Sequence, residues 1–193
     1  MSVGILEIDR LRLDELFPSN GKHAFNQAWT LRTDSLLLVI DDAQQNRTVF
    51  SENIEQDRDF GLLVINNKNN VVVLLAIDHA LVDNHVGGIT DCALLHQSQV
   101  VFVEFKTNAL GGSEPSTMST FDKAVSQLKE TIHFFENKLS TLSLDLKSSS
   151  DVSCRIILAH SFPKATAAKQ DIELAFLEEE GLDLSFESQL TFS

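Results

Sequence analysis

Residues 89–107, ITDCALLHQSQVVFVEFKT, hold two apolar runs joined by the short polar link HQSQ. Each run has the length and composition of a strand, and so short a link predicts an antiparallel hairpin. Side chains alternate along a strand, so Val100, Phe102, Glu104 and Lys106 share one face. Two core residues are thus followed in the same row by a carboxylate and an ammonium, a costly placement unless something uses them. With the turn near 96–98, position 91 falls opposite 103–105. Asp91, opening the first strand, and Glu104, ending the second, are predicted to meet at one edge of the sheet, with Lys106 one step further out.

Working outward, GLLVIN (61–66) and NVVVLLAIDHA (70–80) are β-rich and separated by the turn signal NKNN. With the hairpin they predict an antiparallel meander ending near residue 107. A loop rich in Gly and Ser follows. Then Phe121, Ala124, Val125, Leu128, Ile132, Phe135 and Leu139 form a continuous helical stripe. Ser119 with Asp122 resembles its capping box. SCRIILAHSF (153–162) is a strand, KATAAKQDIELAFLEEEG (164–181) a helix ending at Gly181, and LDLSFESQLTF (182–192) an alternating strand with Leu184, Phe186, Leu190 and Phe192 on one face. Towards the N-terminus SLLLVID (35–41) is a strand, residues 50–61 are a short helix or loop, and SVGILEIDRLRLDELF suits either strand or helix. A meander, a crossover helix and a further strand predict an α/β chain with a mixed central β-sheet flanked by helices.

The 193 residues suit a single domain, and 43% hydrophobic residues supply an ample core. No apolar run reaches the roughly 18 residues of a membrane span, and the N-terminus lacks the pattern of a signal peptide. Cys92 and Cys154 both lie in apolar runs, as reduced cysteines of a cytoplasmic protein would, and two are too few for a Cys-based zinc site. The net charge of −13 weighs against nucleic-acid binding by charge alone, and no basic track is visible, only Lys123, Lys129 and Lys138 loosely grouped on the main helix.

Carboxylates converging as Asp91 and Glu104 do disfavour each other's ionisation, and a divalent ion removes the conflict. Oxygen ligands of this hardness suit Mg²⁺ or Mn²⁺, and the lysine beside them suits the task of positioning or deprotonating a water. The plain alternatives are an exposed Glu104–Lys106 pair and an Asp91 favoured by the turn after Gly87-Gly88. A rival cluster, IDHALVDNH (77–85), offers Asp78, His79, Asp83 and His85 for Zn²⁺ or Mn²⁺, but lacks helical HExxH spacing and reads as a strand end with a solvated loop.

GGITDCALLHQSQVVFVEFKTNA (87–109) resembles the signature of the PD-(D/E)XK, or restriction-endonuclease-like, nucleases: an Asp opening one strand, a spacer, and an apolar strand carrying Glu-x-Lys. Asp91, Glu104 and Lys106 take those positions, with Phe105 between the last two. The helix FDKAVSQLKETI (121–132) resembles the one after the motif in the exonuclease-like branch, which places Gln127 at the site. Thr90 stands where the pattern often has Pro, and Thr131 where that branch often has Tyr. The resemblance implies an α-β-β-β-α-β core over residues 52–160, with an N-terminal elaboration (1–51) and a C-terminal helix and strand (161–193). It implies an Mg²⁺- or Mn²⁺-dependent nuclease acting on nucleic acid, DNA ahead of RNA. Asp91, Glu104 and the Phe105 carbonyl would bind the metal. A further acid from the helix before the sheet would be Glu52 or Glu55, or else a helix histidine, His23, while His79 and His85 remain weaker candidates from the rival cluster. The competing expectations are a non-catalytic interaction module on this fold, or a nuclease subunit whose partner brings the substrate. The apolar face of the tail strand would then meet a protein partner or a second copy.

Overall fold

The computed structural model describes residues 6–17, 25–82, 87–109, 113–163 and 166–193. Its elements in chain order are α1 (Leu6–Arg10), α2 (Leu13–Leu16), β1 (Trp29–Arg32), β2 (Leu36–Asp42), β3 (Arg47–Phe50), α3 (Ile54–Asp57), β4 (Leu62–Asn66), β5 (Val72–Ala76), β6 (Cys92–His96) and β7 (Gln99–Lys106). They continue as α4 (Glu114–Ser140), α5 (Leu146–Ser149), β8 (Asp151–Leu158), α6 (Thr166–Glu180), β9 (Asp183–Ser185) and β10 (Gln189–Phe192). The chain is α/β with two mixed sheets where the sequence predicts one: six strands in the order β1-β5-β6-β7-β8-β9 and four in the order β10-β4-β2-β3.

The six-stranded sheet is apolar on both faces because both are covered. Val100 and Phe102 of β7 pack with Ala124, Leu128, Ile132, Phe135 and Leu139 of α4, together with apolar residues of α1, α2 and α6. Val101, Val103 and Phe105 point the other way and pack against Leu37, Val39 and Phe50 of the second sheet. The predicted stripe on α4 is therefore the central helix contact. Its first turn, however, lies earlier than the Ser119 box. Ser113 is the N-cap, accepting the Ser116 N–H at 3.4 Å, and Pro115 in the first turn has no amide to lose.

Two predicted pairings are corrected. β4 and β5 do not form a hairpin across NKNN: β4 lies between β2 and β10 in the second sheet, and β5 between β1 and β6 in the first. Asn69 has a positive φ, and the Asn66 side chain donates to the carbonyls of Asp34 and Asn70 at 3.2 and 2.8 Å, fixing a turn that changes sheets. The tail is not one strand either. β9 adds in parallel to β8, while β10 adds in parallel to β4, so Leu184 and Leu190 enter different cores. The apolar face reserved for a partner is used within the chain. Cys92 and Cys154 are buried and free. Among the described residues no helix is long and apolar enough to cross a membrane.

Candidate active site

Opposite Cys92 stands Val103, so the next pair along the ladder is Asp91 with Glu104. The ladder ends there because a side chain replaces the backbone partner: Asp91 Oδ2 accepts the Phe105 N–H at 2.6 Å. The Asp91 carbonyl turns to β5, accepting the Ile77 N–H at 2.9 Å. Asp91 is thereby fixed from both neighbouring strands at the sheet edge.

Glu104 is 1% exposed. One carboxylate oxygen, Oε1, receives the Lys106 ammonium; the other, Oε2, has no hydrogen-bond partner among the described residues. Lys106 Nζ also donates to Gln127 Oε1 at 2.7 Å. Gln127 in turn donates through Nε2 to the Ile89 carbonyl at 3.1 Å. One turn along α4, the Thr131 hydroxyl accepts the Thr90 N–H at 2.8 Å and donates to the Gln127 carbonyl at 2.8 Å. The Thr90 hydroxyl donates to the Val103 carbonyl at 2.9 Å. Residues 89–91 are thus stitched to α4 on one side and β7 on the other. Gly88 makes the close approach possible: its φ is +83°, and a Cβ there would lie 3.1 Å from Gln127 Cγ.

Burial dominates the electrostatics. It lifts the Glu104 carboxyl to about 7, with Lys106 opposing. It lifts Asp91 well above the ordinary carboxylate range, with repulsion from Glu104 adding to the effect and the Phe105 amide opposing it. Two buried carboxylates, one of which keeps an oxygen without a hydrogen-bond partner among the described residues, form an oxygen-donor set that fits a hard divalent cation. Among the described residues no third His, Cys, Asp or Glu completes a three-ligand group with them.

Glu52 does not reach this pair; it is exposed and bonds Arg32 at 2.5 Å. Glu55 lies exposed on α3. His79 has a φ of 59° and stands 3.5 Å from Asp78 through its ring. His23, His85 and Asp83 lie outside the described residues. The loosely basic helix face is partly engaged, with Lys129 paired to Glu179 and Lys138 over the rings of Phe17 and Phe134.

One acid escapes the sequence reading. Asp41 continues the row of Leu37 and Val39, which face the space between the sheets. Its cross-strand partner Thr48 lies against the Cys92 thiol. Burial raises Asp41, with Asp78 and Asp42 adding to it, and its charge is felt by Asp91. Alternation in LLLVID places Asp41 in the apolar row, but only the stacking of the sheets brings it to this edge. Comparison of the chain with family models, with curated proteins and with solved structures returns no match.

Proposed function

We propose that the protein is a metal-dependent nuclease that adds water across a phosphodiester bond. The observation that carries this reading is the coupling of two buried carboxylates, Asp91 and Glu104, with Lys106 held between Glu104 and Gln127. The succession β5, β6, β7, α4, β8 supports a restriction-endonuclease-like core. Asp91, Glu104 and the Phe105 carbonyl would hold Mg²⁺ or Mn²⁺. That ion, when bound, supplies charge for the developing phosphoryl oxygens and lowers the pKa of a water.

The chain's own residues do the positioning. Lys106 has two acceptors fixing its ammonium, and its remaining N–H orients the attacking water by hydrogen bonding. Gln127 sets where that ammonium stands, and its second bond to Ile89 keeps it from rotating. Asp41 adds negative charge at the same edge, favouring a bound cation. The chain's net charge of −13 favours a second reading, in which a partner brings the polyanion to this site.

The test is cleavage of labelled single- and double-stranded DNA and RNA in Mn²⁺, Mg²⁺ or EDTA. Wild type should cut only with metal, and Lys106→Ala should lose about 10²-fold or more in rate while still binding Mn²⁺. Equal cutting by the variant, or cutting in EDTA, would overturn the assignment.

A further inference from the structure

Three segments of the chain, around residues 58–63, 158–160 and 188–189, enclose a pocket of about 290 Å³. Backbone hydrogen bonds fix its walls. The His160 N–H, just after β8, donates to the Asp59 carbonyl at 3.1 Å, and the Leu63 N–H of β4 donates to the Ser188 carbonyl at 2.9 Å. Arg155 of β8 clamps the third segment, donating to the carbonyls of Glu187 and Gln189 at 2.8 and 2.9 Å. Arg58, His160, Ser188 and Gln189 line the cavity, and Asp59 brings its one carboxylate. These four donor-bearing residues are exposed, and their side chains make no hydrogen bond or ion pair among the described residues. Accessible donors, one of them a guanidinium, thus surround one space against a single carboxylate, in a chain whose net charge is −13. Such a set matches a phosphate group, which proteins hold through Arg, Ser and Gln side chains of this kind.

The pocket adjoins the edge that carries the candidate site. Leu158, in its wall, is the register partner of Lys106 across the parallel β7–β8 ladder, so their backbones are one strand spacing apart, about 5 Å. On the side of the second sheet, a Cβ on Gly61 would meet the Val39 carbonyl and Ile40, which leaves Phe60 at the end of β2 that carries Asp41. Asp41 feels the charge of Lys106 and acts on Asp91. The Phe60 ring is 52% exposed, and no ring contact engages it among the described residues. An exposed aromatic face next to a donor-lined pocket suits a single strand of nucleic acid, which brings a base to stack and a phosphate to hold.

We propose that this pocket takes a phosphate next to the scissile one in a single-stranded nucleic acid, with Arg58 and His160 on its oxygens and Phe60 stacked on its base. The inference rests on the nuclease reading and names substrate contacts for that site. Lys106 is committed to Glu104 and Gln127, so positive charge for the substrate's backbone comes from a neighbour, and Arg58 supplies it. A pocket of this volume is at the small end of ligand sites and admits a phosphate with its sugar, not a duplex.

The test is the anisotropy of a labelled oligothymidylate titrated with the full-length protein in EDTA, where a metal-dependent nuclease leaves it intact. Binding should saturate and should weaken with salt. Arg58→Ala should weaken it about tenfold or more and flatten the log–log salt slope by about 0.7, for one lost contact to a single strand. Phe60→Ala should weaken it about fivefold or more and leave the salt slope unchanged. Lys68→Ala, which removes the same charge from an exposed position beyond the opposite end of β4, should bind as wild type does. No saturable binding by wild type, undiminished binding by Arg58→Ala, an abasic strand bound as tightly as oligothymidylate, or equal competition by polyglutamate would overturn the proposal, the last in favour of an acidic peptide. Metal-dependent cutting with an unchanged KM in Arg58→Ala would sink the pocket and leave the nuclease standing. Binding that depends on Arg58 and Phe60, without any cutting in Mn²⁺, would do the reverse.

Discussion

Glu104 is the residue on which stability and chemistry pull in opposite directions. Its folded carboxyl is raised to about 7 from an ordinary 4.5, so between those values the folded chain holds a proton that the unfolded chain releases. The stability contributed by this group is therefore complete below about 4.5 and is lost as pH rises through 7. Asp91 is displaced in the same direction and steepens the loss. Urea midpoints of the metal-free protein should fall between pH 5 and pH 8. Glu104→Gln, which keeps the shape and removes the charge, should flatten that fall; parallel curves for the two proteins would refute the argument. The divalent cation proposed for this site would need both groups ionised, and would bind best at the pH where the empty site is most strained.

At the scale of elements, β2 and β4 of the second sheet are held together by close backbone approach as much as by apolar residues. A Cβ on Gly61 would lie 2.8 Å from the Val39 carbonyl oxygen and 2.7 Å from Leu38 Cδ1. A main-chain carbonyl in a paired strand has nowhere to retreat. Gly61→Ala should cost about 1–3 kcal/mol in urea unfolding; an undiminished midpoint would show that β4 can shift.

What could be read from the sequence follows the range of the contacts. The β6–β7 hairpin, the α4 stripe and the Asp91–Glu104 juxtaposition depend on neighbours within about one hairpin or one helix, and local patterns encode them. Gln127 was placed by the resemblance, and its bonds to Lys106 and Ile89 follow from its position on the flank of the stripe. The failures concern partner choice. NKNN signals a turn but not which sheet each strand joins. The alternation in LDLSFESQLTF holds on both sides of residues 186–188, where the chain crosses from one sheet to the other. Asp41 reaches this edge only once the sheets are stacked, and no local pattern announces it.

For the molecule as a whole, the two cores share one wall, the six-stranded sheet. Phe192 of β10 stacks on His96 of β6 with ring centroids 4.4 Å apart and an interplanar angle of 11°, joining the last strand of one sheet to the middle of the other. Phe192→Ala should therefore destabilise the entire chain by about 3–5 kcal/mol. Its Trp29 fluorescence and far-UV circular dichroism should still lose structure in a single coincident transition. A variant whose Trp29 transition stayed in place while circular dichroism shifted would instead show that the sheets unfold separately.

The strand pairing that places Gln189 opposite Leu63 also sets an order of events. The candidate site is assembled within residues 77–131, from the end of β5, a hairpin and the helix after it, whereas the second sheet is complete only when a segment more than a hundred residues downstream returns to β4. Closing so long a loop is the slow step in chain collapse. On a ribosome, the corner holding the candidate site would take shape while the edge of β4 still waited for its β10 neighbour. Until that strand arrives, the β10 side of β4 is an unpaired edge, open to any other strand that can add to it.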